Sequence, residues 1–97
     1  MTHWGMADWT ALSEDERNDI KQKLIAALKS MGIKGATTWW NKPVQLPHWQ
    51  LIIQTSWCER QSHSDVLRVR DQAMARADIQ APLNGVILKS HKKEWRE

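Results

Sequence analysis

The sequence predicts an α+β domain of two layers, with two helices on one face of an antiparallel three-stranded sheet. Three observations carry that expectation. Two segments place apolar residues at helical spacing, and a third alternates apolar and polar residues from Trp49 to Trp57. The elements follow one another as α-β-β-α-β, and the alternating strand is apolar mainly on one face, as a half-covered sheet requires. With 97 residues the chain has room for one domain spanning 1–97, with an N-terminal arm over 1–12 and a charged tail over 90–97. A hydrophobic share of 41% and a charged share of 26% exclude bulk disorder. No internal repeat or low-complexity run divides it.

The first helix is expected from Ser13 to Met31. Ser13 and Glu16 have the spacing of a capping box, and Glu14, Asp15 and Glu16 crowd the first turn, where acids favour the helix dipole. Ile20, Leu24, Ala27, Leu28 and Met31 form its apolar stripe. Gly32 follows as the helix stop, with Ile33 placed to pack back on the last turn. Thr37-Thr38-Trp39-Trp40 are strand formers, and Asn41-Lys42-Pro43 and Leu46-Pro47 mark a loop. The second strand is Trp49–Trp57, paired to the first as a hairpin with a long connection.

Ser62 and Ser64 are alternative caps for a second helix running to about Asp78, with Val66, Val69, Ala73 and Ala77 as its stripe. Arg70 falls inside that stripe. It either snorkels at the edge, pairs with an acid such as Asp71, Asp78 or Glu59, or binds an anion at a cleft mouth; the edge position is the plainer reading. Pro82 and Asn84-Gly85 mark a turn, and Val86-Ile87-Leu88 reads as a short third strand.

The functional classes narrow from composition. The N-terminus has no basic and apolar run of a signal peptide, and no stretch reaches membrane-span length, so a cytoplasmic address is expected. A single cysteine, Cys58, cannot form an internal disulfide. Cys58 and His63 are too sparse for a zinc site, and no phosphate loop or nucleophile elbow is present. No cofactor, metal or catalytic residue is therefore assigned. Gly32-Ile33-Lys34-Gly35 has the G-x-x-G form that clamps nucleic acid in KH domains. There it joins two helices, whereas here strand formers follow it and Gly32 is already accounted for as a helix stop.

Two features point towards a partner. The net charge is +3, and residues 20–60 carry Lys21, Lys23, Lys29, Lys34, Lys42 and Arg60 against Glu59 alone, which suits an anionic partner or simply a solvated face. The chain also has seven tryptophans and neither tyrosine nor phenylalanine. Each exposed indole forgoes about 2–3 kcal/mol of burial. Trp4, Trp9 and Trp95 lie near the termini, where one small domain covers side chains least. Adjacent Trp39 and Trp40 must face opposite sides of a strand.

The first expectation is a non-catalytic interaction module, a homodimer whose interface includes at least one of Trp4, Trp9, Trp39 and Trp40, with Lys42 and Arg70 as further contact candidates. The second is a nucleic-acid binder using Lys21, Lys29, Lys34 and Lys42 with Trp39 or Trp40. The third is a small-molecule binder or enzyme with a pocket between helix and sheet, taking a small anionic ligand.

Overall fold

A computed structural model of the chain describes residues 9–45, 47–82 and 84–90. Its elements run α1 (Glu14–Ser30), β1 (Thr37–Asn41), β2 (Gln50–Gln54), a 3-10 turn (Ser56–Arg60), α2 (His63–Ala77) and β3 (Val86–Lys89). The expected α+β class is present, with both helices against one sheet of order β1-β2-β3.

The termini of α1 follow its sequence. Ser13 Oγ accepts from the Glu16 N–H at 3.1 Å, and Glu16 Oε1 accepts from the Ser13 N–H at 2.8 Å. This reciprocal pair satisfies two backbone donors at the helix start. At the other end Gly32 adopts φ +87°, a conformation that costs a residue with a Cβ but not glycine, and Ile33 folds back so that its N–H reaches Leu28 O at 2.9 Å. The helix buries Ile20, Leu24, Ala27 and Leu28. In α2, Ser62 rather than Ser64 is the cap, accepting from the Asp65 N–H at 3.1 Å.

The sheet is mixed, which corrects the expected all-antiparallel arrangement. β1 and β2 pair antiparallel, but β2 and β3 run parallel. The reason is the connection: α2 returns the chain to the end of the sheet where β2 began, and a helical crossover of that length joins parallel neighbours, not a hairpin. The second strand is also shorter than its alternating pattern. It stops at Gln54, and Ser56–Arg60 coil into a 3-10 turn whose cap, Thr55, accepts from the Trp57 N–H at 3.3 Å.

Register assigns every strand residue a face. Trp40, Leu51 and Val86 form one cross-strand row, and Thr38, Ile53 and Leu88 a second; both lie on the face that packs against the helices. Leu51 and Ile53 are fully buried there beside Ile20, Leu24 and Leu28. The opposite face carries Trp39, Ile52 and Ile87 in one row, flanked by the Asn41–Gln50 pair and by Thr37, Gln54 and Lys89. Gly85 leads into β3 where the backbone doubles back on Pro82. A Cβ at Gly85 would sit 2.9 Å from Pro82 O, so the tight turn excludes a side chain.

Candidate functional site

The tryptophans divide by the side of the sheet they occupy. Residues 9–12, expected as part of an arm, pack into the core: Trp9 is 4% exposed and Leu12 is buried beside it. Trp9 meets Trp40 with ring centroids 5.6 Å apart, tilted at 54°, and Trp40 meets Trp49 edge-on at 6.4 Å. The backbone reinforces the cluster, because the Trp49 N–H donates to Trp9 O at 2.9 Å. Lys42 Nζ ties the same region by donating to Thr10 O at 3.0 Å. The Nε1 donors of Trp9 and Trp40 are buried and have no hydrogen-bond partner among the described residues. A buried, unpaired indole N–H is costly and rare, which marks this junction as incompletely satisfied by the described residues.

Beside the cluster lies an open cleft of about 430 Å³, lined by Glu14, Asp15, Arg17, Asn18, Lys21, Trp40 and Trp49. Glu14, Arg17, Asn18 and Lys21 stand at steps of three and four residues, so they form one stripe of α1. Arg17 holds its guanidinium carbon 4.1 Å from the Trp49 ring centroid, and Lys42 Nζ lies 5.4 Å from it. Such contacts fix the cation without neutralising it. Neither Arg17 nor Lys21 makes an ion pair among the described residues, whereas Lys23 is paired with Asp19 at 3.3 Å.

Trp39 has the contrary placement. It is 40% exposed on the face away from the helices, beside Ile52 on the central strand. Ile52 is itself only 7% exposed, yet it lies outside the core cluster.

The remaining candidates separate from both places. Arg70 is partly buried and committed: its guanidinium binds Asp71 at 3.1 Å and lies 3.5 Å from Val86 O, so it bridges α2 to β3. It does not line the Trp40–Trp49 cleft. Lys29, in the last turn of α1, and Lys34, beyond its end, are exposed; Lys29 lies roughly 12 Å along the helix from Lys21. Of Lys21, Lys29, Lys34 and Lys42, the fold thus brings Lys21 and Lys42 to the tryptophans and leaves Lys29 and Lys34 apart. The G-x-x-G segment joins α1 to β1 rather than two helices, so it lacks the setting in which such a loop clamps a nucleic-acid backbone. Trp4 and Trp95 lie outside the described residues.

Cys58 is buried, and desolvation pushes its thiol up from the ordinary 9.0 to about 11, the opposite of an activated nucleophile. Among the described residues no three of His, Cys, Asp and Glu gather as a metal site. No helix among them is long and apolar enough to cross a membrane. Arg17 and Asn18 are cleft residues that the sequence did not single out. The three-and-four spacing of the polar stripe flanking the apolar one was the available signal for both. No model of a known protein family matches the chain, and no curated protein or solved structure matches it either.

Proposed function

We propose that the chain is a non-catalytic interaction module that pairs with a second copy of itself through the open face of its sheet. The observation that carries this reading is Trp39, 40% exposed in the row with Ile52 and Ile87 on the face away from the helices. A large indole left 40% exposed on an edge strand, at the end of an apolar cross-strand row, has the form of an interface anchor. The rest of the face favours a like partner. Thr37, Asn41, Gln50 and Gln54 are uncharged, and Lys89 is the one charged residue of that face within the three strands, so two copies related by a twofold axis meet little repulsion. Burial of Trp9 and the packing of Trp40 against it favour Trp39 as the anchor among Trp9, Trp39 and Trp40, the described members of the expected set.

The size of the face sets the expected strength. Strands about 4.8 Å apart and five residues long make a face of roughly 15 by 17 Å. That falls well short of the ~800 Å² that each partner of a standard interface buries. Association in the micromolar range or weaker is the expectation, not an obligate dimer. Side-chain NMR tests the geometry. On dilution the indole N–H resonance of Trp39 should move, while those of Trp9 and Trp40 hold their positions. Indole resonances that are all independent of concentration would remove the support for self-association, and movement confined to Trp9 and Trp40 would assign the contact to another surface.

A further inference from the structure

We infer that the cleft between the first two turns of α1 and the Trp40–Trp49 pair is a nucleotide site, taking an amino-bearing base with its phosphate. It lies on the helix side of the sheet and stands or falls independently of pairing through Trp39. Three properties of the cleft converge on that chemistry. Its volume of about 430 Å³ is within the range of small-molecule sites and suits one nucleotide, not a polymer track. Its aromatic wall is Trp40 and Trp49, with the Arg17 guanidinium already resting on Trp49, and both indole and guanidinium planes accept a stacked base. Its polar wall is divided: Arg17 and Lys21 are cations without carboxylate partners among the described residues, and Glu14 and Asp15 are carboxylates likewise outside any ion pair.

The division decides between ligands. A simple anion would meet Arg17 and Lys21 but be repelled by Glu14 and Asp15. A simple cation would meet the acids, yet Arg17 and Lys42 already sit over the Trp49 ring. A base that presents N–H donors at one end and a phosphate at the other satisfies both halves. The carboxylates accept from ring and exocyclic N–H groups, and the two cations take the phosphate. Guanine, with adjacent N–H donors, fits a carboxylate best, and uracil, without an exocyclic amine, fits less well. Trp40, one wall of the cleft, also carries a buried Nε1 donor without a partner among the described residues. The nucleotide can come from solution or from the end of a single strand.

The test is a titration of the ¹⁵N-labelled full chain with GMP, UMP, guanosine, inorganic phosphate and a short single-stranded oligonucleotide ending in dG. GMP is expected to shift the indole resonances of Trp40 and Trp49 and the amides of Arg17 and Lys21 saturably. UMP should bind at least about threefold more weakly, and guanosine and phosphate about tenfold more weakly than GMP. Lys21→Gln should weaken GMP binding by about three- to tenfold at unchanged melting temperature, since glutamine keeps good helix propensity. Arg17→Gln should weaken it as much and also lower the melting temperature by a few degrees, because its guanidinium rests on Trp49. A tighter oligonucleotide than GMP identifies a strand end as the source, and the reverse order a free nucleotide. No saturable shift of the cleft residues up to about 5 mM would overturn the site. Phosphate alone matching GMP, or UMP matching GMP, would overturn the base recognition assigned to the aromatic and acidic walls. A Lys21→Gln variant that binds like the parent would overturn the phosphate assignment.

Discussion

Trp39 and Trp40 are neighbours on one strand and end in opposite environments. Trp40 turns towards the helices, where Trp9 and Trp49 close around it. Trp39 turns to the face away from the helices, where it is 40% exposed and its neighbour across the ladder is Ile52. One backbone step separates a residue that holds the fold together from one that is available to something else. The comparison teaches that an excess of tryptophan need not have one cause. On the inner side it builds a junction between residues 9–12, β1 and the start of β2; on the outer side it leaves an indole partly exposed, the proposed anchor.

The largest expected difference is in stability. Trp40→Ala should cost about 3–5 kcal/mol, as removal of a large packed aromatic usually does. Urea denaturation measures it, and a cost below about 1 kcal/mol would mean that the three-ring junction does not support the fold. A smaller effect sharpens the inner half. Ser13→Ala removes the cap of the helix that carries Arg17 to Trp49 and should cost about 1 kcal/mol. It should also broaden the Trp49 indole resonance if that contact depends on the helix start.

Alkaline pH probes the core just beyond the central strand. Cys58 has a folded pKa of about 11 against an ordinary 9.0, so the folded state holds its proton longer. Stability is then unaffected well below 9 and falls as pH rises from 9.0 towards 11, because the unfolded chain loses the proton first. Cys58→Ala should flatten that part of the profile, and an unchanged slope would assign the alkaline loss to other groups. The smallest effect on stability is expected at Trp39. Trp39→Ser should change the unfolding free energy by no more than about 0.5 kcal/mol, as for most exposed positions.

Much of this division was legible in the sequence. The Ser13–Glu16 capping box, the apolar stripe of α1, the stop at Gly32 and the opposite facing of Trp39 and Trp40 are local rules, and local rules survive folding. What was not legible depends on long-range return of the chain. The β2–β3 direction is set by how α2 crosses the sheet, which no period in the strands encodes. The early end of β2 came from Thr55, whose side chain captures a backbone N–H and starts the 3-10 turn within a pattern that still alternates. Trp9 looked like part of a free arm because its partners, Trp40 and Trp49, lie 31 and 40 positions further along the chain. The cleft stripe of Glu14, Arg17, Asn18 and Lys21 was present in the spacing, but only the fold sets it against tryptophan.

The central claim is that the outer face, not the buried cluster, is where the chain meets a second copy. Sedimentation equilibrium of the parent chain and of Trp39→Ser, from about 5 μM to about 1 mM, tests it most directly. The parent is predicted to rise from 11.3 kDa towards twice that mass, while Trp39→Ser stays at the lower value with its fold intact. A parent that remains at 11.3 kDa throughout, or a Trp39→Ser chain that dimerises as the parent does, would contradict the account.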